Sequence, residues 1–138
     1  MSADSVALVQ AQLDQVAAPY VKALQLRVTG HEGDRVTISL PVTPALVHGG
    51  GVVCGQSLLA AADTAMVLAL SAVLGGFKPM TTVQLNCSFL RPVPADTPEL
   101  TLSCTVLRRG KTLAFGSIDI TLPDGKLAAQ ATTTYAFL

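Results

Sequence analysis

Apolar residues recur at steps of three and four near the start of the chain. Val6, Val9, Leu13 and Val16 carry the pattern, with Gln10, Gln12 and Asp14 between them. This spacing predicts an amphipathic helix over residues 4–17, with Ser2 or Asp4 placed to cap it. Pro19 interrupts the pattern and opens a short second helix through Leu24. The period then falls to two. Residues 24–29 and 35–40 alternate apolar with polar side chains and predict two strands, and His31-Glu32-Gly33-Asp34 between them reads as a hairpin turn. Pro41 and Pro44 end the second strand, and a loop follows through Gly49-Gly50-Gly51. Residues 55–74 are apolar on nearly all sides and predict one long buried helix stopped by Gly75-Gly76. Four strand-like segments finish the chain, over residues 80–91, 99–108, 112–122 and 127–137. Turns at residues 92–96, 109–111 and 123–125 separate them. Hairpins plus one helix buried all round predict an α+β domain whose antiparallel sheet wraps that helix.

Composition narrows the class. Of 138 residues, 50% are hydrophobic and 13% charged. That balance excludes a disordered chain and supplies a core for one domain. The expected unit is residues 1–138, with an N-terminal helix over 1–18 and a core over 19–138. Nine basic residues offset nine acidic ones, which argues against a nucleic-acid partner, because tracking phosphates needs a basic excess. The mean hydropathy is +0.52 and the mass 14.2 kDa. A compact monomer of this mass exposes roughly 6,800 Å², or about one charge per 380 Å². Such scarcity predicts that part of the surface is covered by another copy of the chain.

Other features bound the setting. Cys54, Cys87 and Cys104 show no paired spacing and no zinc pattern, so neither a metal nor a redox cofactor is expected. Cys87 and Cys104 fall in strand patterns and are expected in the core. The first ten residues lack a basic stretch followed by an apolar one, which points to a reducing cytoplasmic compartment. Residues 57–74 are apolar enough to be weighed as a membrane span. Asp63 lies inside them, and a carboxylate at a bilayer centre costs on the order of 2.5–3.5 kcal/mol. A core helix of a soluble protein is the expectation, with no membrane span.

Three segments resemble a known family. Cys54-Gly55-Gln56-Ser57 through Asp63-Thr64-Ala65 resembles a His-Gly-Gly-(six residues)-Asp-(Thr/Asn) motif at the start of a central helix. Thr82-Val83-Gln84-Leu85-Asn86 through Arg91-Pro92 is similar to a strand reading Ser/Thr-x-x-hydrophobic-Asn…Pro. Gly110 through Phe115, with Asp124 through Gln130, resembles the last two strands of the same family. The family is the hotdog-fold acyl-CoA thioesterases of the PaaI type, the phenylacetate-pathway group and its mammalian relatives. The resemblance covers roughly residues 19–137 and implies five to six strands around one central helix. Cys54 stands where the motif has His, Gln56 stands for its second Gly, and His48 stands where the family often has Asn or Gln. The Gly49-Gly50 pair after His48 is out of register with the motif.

Thioester hydrolysis needs a carboxylate to activate water or attack directly, a donor for the developing oxyanion, and groups that position the nucleophile. Asp63 is the only charged residue between His48 and Lys78. An acid in so apolar a helix must face water, a partner or a site. A purely structural Asp that bonds a loop across an interface is the competing role. Gly55 opens the helix, where backbone N–H groups lack partners and the dipole favours negative charge. The resemblance implies that His48 positions or polarises water and that Thr82 bonds near the carboxylate, with Thr81 next in register. Cys54, Gln56, Thr64 and Arg91 are the expected substrate-binding residues. Arg108, Arg109 and Lys111 are further candidates for coenzyme A phosphates, and Phe89, Met66, Val67 and Leu70 for acyl-pocket walls. Cys54 also offers a thiolate route, with His48 as its base. His31 is a turn residue.

Spacing adds a constraint. Gly55 and Asp63 are eight residues apart, which is about 12 Å along a helix axis. One thioester cannot touch both in one chain, so a shared site needs Gly55 of one copy and Asp63 of another across a two-fold axis. The resemblance implies the same arrangement, with two sites per dimer and often a dimer of dimers. The expected activity is therefore acyl-CoA hydrolysis, with coenzyme A as part of the substrate. Two rivals stand beside it: an enoyl-CoA hydratase or dehydratase using His48 and Asp63, and a non-catalytic acyl or CoA-binding module.

Overall fold

A computed structural model describes residues 3–138, so a cap at Ser2 lies outside the described residues. Three helices and six strands follow in the order α1 (Ala3–Val16), α2 (Pro19–Lys22), β1 (Arg27–Glu32), β2 (Arg35–Pro41), α3 (Gly55–Leu74), β3 (Met80–Phe89), β4 (Glu99–Arg109), β5 (Leu113–Thr121) and β6 (Leu127–Phe137), with a 3-10 turn at Pro44–Leu46 before α3. The six strands form one antiparallel sheet in the order β1-β2-β4-β5-β6-β3. This is the α+β architecture expected, with a sheet of six strands.

Alternation along the strands builds the core. Val36, Ile38 and Leu40 of β2, Leu100, Leu102 and Cys104 of β4, Ile118 and Ile120 of β5, and Ala129 and Ala131 of β6 are all buried. Against them α3 sets Leu58, Ala61, Ala62, Ala65, Met66, Leu68, Ala69 and Leu70. The alanines let the helix axis approach the sheet closely, since small side chains shorten the packing distance. The helix is long and apolar enough to cross a membrane, yet it lies against the sheet as its core. Gly75 ends it in the left-handed region at φ 74°, and Gly76 N–H donates to Ser71 O at 2.9 Å. That closes the helix as a Schellman turn.

Helix α1 buries Val9 and Leu13 beside Leu24, Leu26 and Val28. Its Gln10 reaches across to the backbone of the β1 segment. Val28 N–H donates to Gln10 Oε1 at 2.7 Å, and Gln10 Nε2 donates to Leu26 O at 3.3 Å. One side chain thus satisfies part of an otherwise unpaired strand edge.

Four expectations need correction. The first strand begins at Arg27, not residue 24, because Gln25 sits at φ 59° and turns the chain out of α2. Leu24 and Leu26 are buried nonetheless, which explains the misleading alternation. His31 is no turn residue. It closes β1, is buried, accepts from Ser5 Oγ at Nδ1 (3.1 Å) and donates from Nε2 to Gly33 O (2.9 Å). Cys87 is half-buried on the edge strand rather than in the core, whereas Cys104 is fully buried. Met66 and Leu70 are fully buried core residues and line no cavity wall.

The chain alone exposes 6987 Å², close to the about 6,800 Å² that a compact monomer of this mass should show. The edge strand β3 carries part of that exposure, with Val83 58% and Phe89 50% accessible and neighbouring Leu90 51%.

One close approach sets how α3 sits. A Cβ on Gly116 of β5 would meet the Met66 sulfur, lie 2.9 Å from Met66 Cε, and lie 3.2 Å from Thr105 O. Met66 is fully buried and has nowhere to go. Gly116→Val should therefore lower folding stability by about 1–3 kcal/mol through overpacking, measured as a shifted midpoint in urea denaturation. An unchanged midpoint would show that α3 shifts freely over the sheet.

Candidate active site

Asp63 lies on α3, half-buried, with its side chain turned toward the far end of the sheet. Two hydroxyls converge on one of its oxygens. Thr82 Oγ1 of β3 donates to Asp63 Oδ1 at 2.8 Å, and Tyr135 OH of β6 donates to the same atom at 2.5 Å. The phenol also lies 2.8 Å from Asp63 O. It has a single proton, and the charged, nearer Oδ1 takes the larger share. Thr82 pairs with Tyr135 across the β3–β6 ladder, so two adjacent strands present both hydroxyls to α3. Oδ1 is thereby saturated, and Oδ2 is the oxygen left to act.

The Tyr135 phenol is held protonated far above its ordinary range, first by burial and then by the Asp63 carboxylate beside it. It is a donor at any working pH. Of the two threonines weighed, Thr82 is the one that bonds the carboxylate, and Tyr135 was not among the candidates. The signal was faint: one phenol among threonines and alanines in a strand, at an inward position.

At the other end of the site, Cys54 precedes Gly55 as the N-cap of α3, and its side chain caps no backbone N–H. The N–H groups of Gly55 and Gln56 have no carbonyl within the helix to receive them. A Cβ on Gly55 would lie 3.4 Å from the Phe89 ring, so Phe89 does wall this end. Cys54 Sγ lies 3.0 Å from Ser57 Oγ. That hydrogen bond, helped by the first-turn backbone N–H groups nearby, holds the thiol below its usual range. Burial pushes Cys87 up, and pushes Cys104 up to about 12.

The remaining candidates are placed as follows. His48 is exposed, and its Nδ1 accepts from Gly50 N–H at 2.8 Å, inside its own glycine turn. Its ring fills the space a Cβ on Gly50 would need. It makes no hydrogen bond to Asp63 or Cys54 of its own chain. Gln56 is exposed, and Thr64 Oγ1 donates back to Ala60 O at 2.8 Å. Arg91 donates from a terminal guanidinium nitrogen to Leu127 O at 2.8 Å and is otherwise solvent-facing. Among the described residues no three His, Cys, Asp or Glu side chains gather as metal ligands.

Two clefts flank these groups. One, of about 240 Å³, is lined by Gly55, Leu58, Phe89, Leu90 and Arg91. The other, of about 270 Å³, lies between α1, α2 and α3 and opens on Asp63, Thr64 and Tyr135. A larger depression of about 720 Å³ runs along β1 beneath α1. It reaches none of Asp63, Gly55 or Thr82, and its Arg27, Glu32 and Arg35 are ordinary charges of a sheet edge.

The comparisons with known proteins follow this geometry. The family model described as the thioesterase superfamily matches residues 47–129, which span the helix-start glycine, the acid, strands β3, β4 and β5 and the start of β6. The chain belongs to the thioesterase superfamily. Its relatives agree in fold. The thioesterase HI1161 of Haemophilus influenzae is 25% identical, with a TM-score of 0.82 over 94% of this chain and 90% of that one. The PaaI protein of Escherichia coli, from the phenylacetic acid degradation operon, is 22% identical, with a TM-score of 0.82 over 99% and 96%. A Saccharolobus solfataricus protein provisionally named an esterase is 29% identical over 85% of this chain and 81% of its own length. The chain thus has the hotdog fold of the PaaI-type thioesterases, as the resemblance implied.

Two predictions follow from the acid's surroundings. Tyr135→Phe and Thr82→Val each remove one donor to a charged oxygen, a bond worth about 1.5–3 kcal/mol. Each should lower kcat on a thioester by roughly tenfold or more with little change in KM. A change in KM alone would place these hydroxyls on the substrate instead. In the native protein at neutral pH, iodoacetamide should modify Cys54 first and leave Cys104 untouched until the chain unfolds, as read by peptide mass spectrometry. Early modification of Cys104 would contradict the packing of α3 on β4.

Proposed function

We propose that this thioesterase hydrolyses acyl-CoA thioesters to a free acid and coenzyme A, at a site completed by a second copy of the chain. One observation carries the reading. A single carboxylate on an apolar helix has one oxygen locked by Thr82 and Tyr135 and the other free. That is how a base or nucleophile is held in one orientation, since fixed geometry removes the entropy cost of aligning it at each turnover.

In this reading Asp63 Oδ2 draws a proton from water, or attacks the thioester carbon itself. Gly55 N–H of the partner copy receives the developing oxyanion. The first turn of α3 is suited to that task, because the Gly55 N–H has no carbonyl within the helix to receive it and the dipole favours negative charge. The C–S bond breaks and the sulfur leaves as coenzyme A thiol with the proton that Asp63 took from water; on the direct route the thiolate leaves first, and water then cleaves the acyl-aspartyl anhydride and supplies that proton. His48 and Gln56 border the Gly55 end, where His48 would orient water or the carbonyl, and Arg91 would meet a phosphate of coenzyme A. No resident cofactor takes part in these steps.

The separation of the two groups supports a shared site. Gly55 and Asp63 lie on one continuous helix, and about 12 Å of axial rise divides them. The unpaired outer edge of β3, with its exposed Val83 and Phe89, supplies a surface of the right character for a two-fold partner. A dimer, or a dimer of dimers, is the proposed state. The cytoplasm is the proposed location, in keeping with three free thiols.

A thiol-release assay across acyl-CoAs tests the activity, and mixed subunits test the architecture. Asp63→Asn removes the acid. Gly55→Pro removes the N–H donor at the first helical position, where proline suits the fold and Cys54 at ψ 146° already has the conformation it prefers before it. Each variant alone should lose most turnover. Unfolded together and refolded at equal ratio, they should recover about a quarter of the wild-type rate, because half the dimers then hold one intact site. No recovery, with dimers formed, would place both groups in one chain's site. Loss of activity in Cys54→Ala rather than Asp63→Asn would move the chemistry to the thiol. Loss of the double bond in an enoyl-CoA without thiol release would favour hydration.

A further inference from the structure

We infer that the cavity under the N-terminal helix is the acyl subsite, and that it limits the substrate to apolar acyl groups of about eight carbons or one aromatic ring. The inference rests on the thioesterase reading above and adds which end of the site takes which part of the substrate.

The two clefts differ in charge. The cleft at Gly55 has one charged residue in its lining, Arg91. The cavity at Asp63 has one charged residue in its lining, Asp63 itself. A coenzyme A moiety carries several negative charges. Running it past the carboxylate, with no cation in that cavity, would set like charges against each other in a poorly solvated space. Running it past Arg91 meets opposite charge. The acyl group is left with the other direction, away from the reacting carbon and under α1.

The lining there suits it. Leu13, Val16, Val21, Val67, Phe77 and Met80 surround the space. Two of these side chains are unusually accessible for their type, Val16 at 44% and Phe77 at 42%. Both stand where an apolar ligand would cover them. Thr64, the polar neighbour of Asp63, has its hydroxyl turned back to Ala60 O and so offers the cavity its methyl side.

The volume sets the limit. The cavity holds about 270 Å³. An apolar cavity of about 150 Å³ takes a benzene ring, and a water-sized group occupies about 30 Å³ in a liquid. The space therefore fits a ring with a short linker, or a chain of about eight carbons. Longer chains must displace α1 or leave methylenes in water, and each methylene not buried forgoes its share of binding. Specificity then resides in α1, α2, Phe77 and Val67, one turn beyond the acid on α3.

The test is a chain-length series from acetyl- to dodecanoyl-CoA on the full chain, with Val67→Phe to fill the cavity and Phe77→Ala to open its mouth. Octanoyl-CoA binding is measured by calorimetry on the same proteins, and on Asp63→Asn to prevent turnover. Wild type should peak near eight carbons. Val67→Phe should lower the ratio of kcat/KM for octanoyl- over acetyl-CoA by about tenfold or more, and Phe77→Ala should raise the ratio of dodecanoyl- to octanoyl-CoA. If wild type turns over acyl-CoAs but neither ratio moves, the subsite is overturned and the thioesterase reading stands. If wild type releases no thiol, that reading fails by itself. Octanoyl-CoA binding weakened about tenfold or more in Val67→Phe then still supports the pocket, and binding indifferent to the substitution overturns it.

Discussion

The structure depends on one carboxylate being tolerable in an apolar helix. An isolated acid on α3 would strip water from its charge and destabilise the core around it. Asp63 escapes that cost because it sits where α3 passes over the last two strands at the end of the sheet. There two hydroxyls reach one of its oxygens, and a cleft keeps the other open. Two hydrogen bonds to a charged oxygen offset part of the desolvation. They also stop the carboxylate from rotating. Stability and chemistry thus meet in the same pair of contacts. In the proposed mechanism the two hydroxyls hold Oδ1 and leave Oδ2 to act.

Much of this was legible in the residues, and the reasons are physical. Helix α3 was readable to its ends because a run of small apolar residues is bounded by glycines, and Gly75 at φ 74° is where the helix stops. The strands β2 and β5 alternate throughout, β4 as far as Val106 and β6 from Ala129 to Tyr135, since one face packs on α3 and the other is more open. Asp63 stood out as the one charge in that stretch, and Thr82 came from its place in a strand motif. Tyr135 did not stand out. Its role depends on β6 lying between β5 and β3, a pairing across some fifty positions that no local pattern reveals. His31 was misjudged for a related reason. Its partners are Ser5 on α1 and a neighbouring carbonyl, so only the docking of α1 makes it a buried residue. Residues 24–26 alternate like a strand, yet they form a turn because Gln25 adopts a left-handed conformation that its residue type does not announce.

The sparse charge of the chain has a structural counterpart. Strand β3 follows α3 in sequence yet lies at the far edge of the sheet beside β6. Its outward backbone edge lacks a partner in the chain, and its apolar Val83 and Phe89 are half-exposed. The opposite edge, β1, is treated otherwise: Gln10 of α1 bonds to its backbone, and Arg27, Glu32 and Arg35 line the nearby surface. One edge carries charges and a side-chain cover, and the other carries oil and Thr82. That asymmetry fits the proposed dimer, in which β1 is kept from strand pairing and β3 meets the second copy. It also explains how the lack of charge and the helix spacing lead to the same conclusion, because the apolar edge borders the acid.

Using the core helix as the scaffold of the site has a further consequence. Ten residues of α3 are buried against the sheet, and Met66 is locked onto Gly116. Gly55 and Asp63 are therefore held at a fixed separation, and neither can shift to suit a new substrate without moving the core. The reacting groups are the least adjustable part of the molecule. Adjustment is left to what packs outside the sheet–helix pair: α1, α2 and the Phe77 region on the acid's side, and the Phe89–Arg91 segment on the glycine's side. Both are held by fewer buried contacts than α3, so a substitution there disturbs the fold least. In the proposed site a rigid helix fixes the chemistry and the flanking walls choose the acyl group, so that the walls can change while the fold is kept.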